Sequence, residues 1–130
     1  MTNVKNSFFV VLVLLIGFSS CTKEDTCTTA PAISENIVGT WLLEGGDGNT
    51  FQFLSDGTLN DPSGEMIDIE FNGVKYSDKT YMVANDSLTI TATNPNDNTL
   101  FSSITVPVIE NECETITLDF FGISADMDRQ

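Results

Sequence analysis

The chain has 130 residues, no histidine, and nineteen acidic against five basic side chains, for a formal net charge of −14. A surface that negative repels nucleic acid, and no basic patch offsets it, so nucleic-acid binding is excluded. Without histidine the commonest general base and the commonest metal ligand are both missing, which argues against an enzyme and against any cofactor or metal centre.

The first element is a leader. Lys5 is the only charge before an apolar run from Phe8 to Phe18, and small Ser19 and Ser20 follow it. A basic start, a short apolar run and a small-residue exit describe a secretory signal. The run has eleven residues, whereas a membrane span needs about 20. Residues 1–20 therefore read as a signal peptide. Phe18-Ser19-Ser20-Cys21 resembles a bacterial lipobox, where cleavage precedes a cysteine whose thiol takes a diacylglycerol with palmitate-type chains. That resemblance implies lipidation at Cys21 and a lipid anchor in a membrane. The next residues, Cys21-Thr22-Lys23-Glu24-Asp25, resemble the lipoprotein export signal of Bacteroidetes. This implies an outer-membrane lipoprotein facing the cell surface.

The part behind the leader keeps four basic residues, Lys23, Lys75, Lys79 and Arg129, against all nineteen acidic ones, a charge of −15. Its roughly 110 residues suffice for one small domain with one core. Once Cys21 is lipidated, Cys27 and Cys113 remain as an even pair in an oxidising compartment, and a disulfide is expected between them. It would close a loop of more than eighty residues, worth roughly 4 kcal/mol in the chain-entropy account.

Residues 21–35 form a polar tether, and the domain is expected over residues 36–130. Period-two patterns run through that domain and no window has helical spacing. Ile37, Gly39, Trp41 and Leu43 share one face, as do Phe51 and Phe53. Ile67, Ile69 and Phe71 alternate with Asp68 and Glu70 in the cleanest strand pattern of the chain. Tyr81 and Val83 follow, then Leu88, Ile90 and Ala92 opposite three threonines. Ile104, Val106 and Val108 come next, with Pro107 marking an edge or bulge. Ile116, Leu118 and Phe120 close the series. Turn signals separate the runs, the best being Asn72-Gly73, which suits a type I′ hairpin. The expected fold is all-β, a small antiparallel up-and-down barrel or flattened barrel of seven to eight strands.

Ile37-Val38-Gly39-Thr40-Trp41 and Phe51-Gln52-Phe53-Leu54-Ser55-Asp56-Gly57-Thr58 resemble the opening of the lipocalin-like domains of Bacteroidetes lipoproteins. The resemblance implies a barrel whose open end holds a small apolar molecule. Ligand contacts would then come from Trp41, Phe51, Phe53, Phe71, Tyr81 and Phe120. Trp41 itself reads first as a core anchor. The only arginine, Arg129, stands second from the C-terminus, so none is expected to stack on Trp41. A barrel this short leaves little room for a deep cavity.

Three weaker motifs complete the reading. Glu110, Glu112 and Glu114 alternate along one face and read as a solvated edge rather than a calcium site. Asn94 to Asn98 lacks the glycine and glutamate of an EF-hand loop. Asp86-Ser87-Leu88 is similar to the O-glycan acceptor of exported Bacteroidetes proteins, which makes Ser87 a glycosylation candidate. The expected function is a surface-anchored binding or interaction module, for a small apolar ligand or a protein partner. The alternative is an accessory subunit of an outer-membrane surface complex that works through its acidic face and strand edges.

Overall fold

The structure, a computed structural model, describes residues 27–130. One helical turn, α1 (Ile33–Asn36), precedes ten strands: β1 (Gly39–Leu43), β2 (Thr50–Phe53), β3 (Leu59–Asn60), β4 (Glu70–Phe71), β5 (Val74–Lys75), β6 (Asp78–Ala84), β7 (Ser87–Asn94), β8 (Asp97–Asn111), β9 (Thr115–Phe120) and β10 (Ile123–Arg129). Eight of them form one antiparallel sheet in the order β3-β2-β1-β10-β9-β8-β7-β6. Neighbours in sequence are neighbours in space, and β10 returns to pair with β1 through Trp41↔Arg129 and Leu43↔Met127. The sheet thus curls into an almost closed up-and-down barrel, as the alternation of the sequence led us to expect.

Only the seam between β3 and β6 lacks a full ladder. It is bridged by the single pair Thr58↔Thr80, with the Tyr81 N–H donating to Gly57 O at 2.8 Å. The remaining strands, β4 and β5, make a separate hairpin. Its Asn72 (φ 52°) and Gly73 (φ 76°) both have positive φ, the backbone a type I′ turn requires.

Alternation explains the layers. Leu88, Ile90 and Ala92 of β7 are buried in the core. Thr89 and Thr91, on the other face, share hydrogen bonds with Thr105 (2.9 Å) and Ser103 (2.8 Å) of β8. Trp41, Phe51, Phe53, Ile116, Leu118 and Met127 complete the fully buried centre. At Pro107 and Val108 the expected irregularity is present, since the β8–β9 register shifts between Val108 and Glu110.

Three elements depart from the expectation. The Ile67–Phe71 pattern is not a barrel strand, and only Glu70 and Phe71 have strand geometry. The backbone N–H groups of Gly64, Glu65, Met66 and Ile67 all donate to the Asp61 carboxylate instead of to a ladder. Coiled around that side chain, the segment carries Met66, Ile67 and Tyr76 into the core cluster at the rim. The second departure is α1, one turn in a stretch without helical spacing, held by the Asn36 and Ile37 N–H groups donating to Ala32 O and Ile33 O. The third is β10, whose inward Ala125 and Met127 are interleaved with Asp126 and Asp128 and give a weak apolar period.

Candidate functional site

The residues proposed as ligand contacts divide into three groups. Trp41, Phe51 and Phe53 are completely enclosed by other core side chains. Phe51 meets Phe53 edge-on at 5.7 Å, and Phe53 meets Tyr81 edge-on at 4.8 Å. Tyr81 and Phe120 are half-buried and pack against the same cluster. Phe71 is the exception: it is 62% exposed. The expectation that Phe71 lines the interior is therefore wrong. It lies on the separate β4–β5 hairpin, where its alternation with Glu70 belongs to two residues and not to a barrel strand.

At one end, α1 and the β8–β9 turn close the barrel around Trp41. The indole N–H donates to Ile37 O at 2.7 Å, which satisfies the one polar atom of a buried ring. Arg129 lies over the indole with its guanidinium carbon 4.3 Å from the ring centroid. This corrects the expectation that no arginine reaches Trp41. Position in the sequence misled, because the antiparallel β10 sets the penultimate residue directly beside Trp41. Arg129 also donates to Cys113 O, Val38 O and both oxygens of Asn36. Asn36 in turn donates to Asn111 Oδ1 and Glu112 O. Gly39 is required here: a Cβ would stand 2.6 Å from Arg129 Nη1. The arrangement is a fully hydrogen-bonded floor, with no donor directed at a ligand.

Cys27 and Cys113 are joined as expected, in a disulfide spanning 86 residues at the same end. Free-thiol labelling of the unfolded, unreduced protein should find neither of these two cysteines, and labelling after reduction should find both. Cys21 lies outside the described residues.

The opposite, rim end is occupied by the segment from Asp61 to Ser77, and it is fastened by a buried ion pair. Lys79 Nζ stands 2.9 Å from Asp61 Oδ2, with the two side chains only 2% and 0% exposed. Lys79 also donates to the Asp61 carbonyl. With four backbone donors on the same carboxylate, the pair has the additional hydrogen bonds that a buried ion pair needs. Apolar alternation marks neither residue. The available signal was the spacing of Lys79, which shares the inward parity of Tyr81 and Val83 on β6.

Tyr81 completes this seam, its hydroxyl donating to Leu54 O at 2.7 Å. Burial, with a smaller contribution from the Asp56 charge, pushes the Tyr81 hydroxyl above its ordinary pKa. The proton needed for that bond is thus retained. Outside the seam lies a shallow hollow of about 570 Å³ between Thr58, Asn60, Asp78, Thr80 and Thr93. A second hollow, of about 310 Å³, adjoins it at Pro62, Lys75 and Ser77. Leu59 lines both hollows and Leu54 the larger, beside hydroxyl and amide groups, while the Lys79 ammonium is already engaged by Asp61.

The glutamate row is not a single face. Glu110 lies in β8, while Glu112 and Glu114 lie in the following turn, and Glu114 Oε2 is 3.9 Å from Arg129 Nε. Among the described residues no group of three or more acidic or cysteine side chains could hold a metal ion. Ser87 begins β7, directly after the tight turn at Asn85 and Asp86, and is half-buried. Comparison of the chain with family models, with curated proteins and with solved structures finds no match.

Proposed function

We propose that the chain is a lipid-anchored lipoprotein of the outer-membrane surface. Its lipocalin-like barrel serves there as an interaction module for a protein partner, not as a carrier of a small apolar molecule. The observation that favours a partner over a cargo is the filled interior. Trp41, Phe51 and Phe53 have no exposed surface to offer, and a small-molecule site needs a concave apolar pocket. Binding energy must then come from the outside of the barrel, where Phe71, Met82, Phe101 and Phe121 are exposed. The absence of histidine supports binding over catalysis.

Anchoring is tested by Cys21→Ala. A diacyl anchor supplies nearly all of the membrane affinity, so the variant should move from the membrane fraction to the soluble fraction. A variant that stays with the membrane removes the lipobox from the argument. Native mass spectrometry of the processed protein tests the other half. A bound subunit supports the reading, whereas a retained small molecule makes the protein a carrier.

A further inference from the structure

Where β3 and β6 meet, the barrel wall is incomplete, and the larger of the two hollows lies there. The strands share only the Thr58↔Thr80 bridge. Continuing that register sets Asn60 across from Asp78, but β3 ends at the first and β6 begins at the second. The hollow between them holds about 570 Å³, within the range of small-molecule sites. Its walls are fixed from behind. On one side the Leu54 carbonyl accepts the Tyr81 hydroxyl, and the Leu54 N–H donates to Thr58 O. On the other, buried Lys79 is held by Asp61. Supports of this kind keep the hollow in shape before a ligand arrives, and such preorganisation lowers the cost of binding.

The lining is apolar at the base and polar around it. Leu54 and Leu59 form the base, while Thr58, Asn60, Asp78, Thr80 and Thr93 stand about it. Further along the same outer face, hydroxyls pair off, Thr91 with Ser103 and Thr89 with Thr105. At the hollow they do not. Among the described residues the Asn60, Thr80 and Thr93 side chains make no hydrogen bond, and the Asp78 carboxylate accepts only from neighbouring Ser77 at 3.4 Å. Polar groups from three strands thus gather over one apolar base with their hydrogen bonds still to give.

Charge and geometry select among ligands. Lys79 is engaged by Asp61, and Lys75, at the adjoining hollow, pairs with Asp68 at 2.9 Å. An anion therefore meets no free cation here, and a molecule of net charge −14 repels it. A wholly apolar ligand would cover the Asn60 amide and the hydroxyls without bonding them. An added peptide strand needs a row of main-chain groups, and the Tyr81 N–H of this edge is already given to Gly57 O.

We propose that the seam hollow binds a neutral saccharide. The C–H face of one sugar ring rests on Leu54 and Leu59. Its hydroxyls donate to the Asp78 carboxylate, a charge-assisted bond, and exchange hydrogen bonds with the Asn60 amide and the Thr80 and Thr93 hydroxyls. Next to Thr93 stands Phe101 of β8, 62% exposed. Since β7 carries no charge, and β8 none from Asn98 to Ile109, further sugar units can continue across this face. The site goes beyond the partner reading above and stands without it.

The test uses the full-length Cys21→Ala chain in a mild detergent that contains no sugar. Maltohexaose, cellohexaose and mannohexaose are titrated in turn while the backbone amides are followed by nuclear magnetic resonance. At least one of them should shift the amides of Thr58, Asn60, Asp78, Thr80 and Thr93 together and to saturation. Hexagalacturonate, an acidic counterpart, should shift none of them. Asp78→Ala should weaken binding roughly tenfold or more, because a hydrogen bond to a charged group is lost. Thr80→Trp should abolish it by filling the hollow. Both side chains are exposed, and the near-ultraviolet circular dichroism and the Cys27–Cys113 bridge report whether each variant is folded. No shift at these amides with any neutral hexamer, equal shifts with hexagalacturonate, or undiminished binding by either folded variant would each overturn the proposal. So would a serine- and threonine-rich octapeptide that shifts the same amides as strongly as the sugar.

Discussion

Phe53→Ala is expected to destabilise the protein by about 3–5 kcal/mol, the range for a packed phenylalanine cut back in a core. Phe53 has no exposed surface and touches Phe51 on its own strand and Tyr81 across the seam. Its removal takes away one side of the only aromatic contact described between β2 and β6, as well as its own buried area. Neighbouring strands hold the other core residues in place, so the void cannot simply collapse. Chemical denaturation of the variant beside the parent protein measures the loss. If Phe53 lined a ligand cup, the change would cost less than about 1 kcal/mol and would alter uptake of apolar molecules instead.

The second large effect is expected at the rim. Lys79→Met leaves Asp61 buried without its cation, and breaking one side of a buried ion pair costs roughly 3–5 kcal/mol. Asp61→Asn should be at least as damaging locally. The Asp61 carboxylate accepts from four backbone N–H groups, and an amide has only one oxygen with which to accept them. The double variant separates these contributions. If it is less destabilised than the sum of the two, the pair is coupled as the 2.9 Å contact implies. Additive losses would mean that the two residues act independently. Hydrogen exchange of Met66 and Ile67 should report the opening of the rim segment in either single variant.

Much of the fold was legible because a half-buried strand writes its two faces into alternate residues. Leu88, Ile90 and Ala92 against Thr89 and Thr91 is the plainest case, and the turns at Asn72-Gly73 and Asn85-Asp86 fell where strand ends were expected. Alternation fails where the partner of a backbone group is not a strand. The stretch around Ile67 has the right period, yet Asp61 takes its N–H groups, and no local pattern reports a carboxylate several residues upstream. It fails again in β10, where aspartates interrupt the apolar face and a turn at Phe121 places a bulky residue at positive φ (57°), a conformation usual for glycine or asparagine. The weak period of β10 also hides the neighbourhood of Arg129 and Trp41 from the sequence. The pair is remote in sequence and adjacent only once the barrel closes. The disulfide needed only counting. The Lys79–Asp61 pair needed the seam, which is a property of the closed barrel and not of any one strand.

The position of the Cys27–Cys113 bridge has a mechanical consequence. If the chain hangs from Cys21, a pull from the membrane travels through at most six residues, about 20 Å of extended chain. It then passes covalently through the sulfurs into the β8–β9 turn. Helix α1 and the hydrogen bonds of Asn36 fall within the disulfide loop and carry only part of the tension. Reducing the bridge would move the first fixed point to α1, lengthening the leash and placing the load on those non-covalent contacts. In a chain anchored at Cys21 the bridge would therefore act as a strain relief for the barrel floor. For a chain anchored in this way it would also set the posture of the domain, with the α1 end toward the bilayer and the rim segment from Asp61 to Ser77 turned outward.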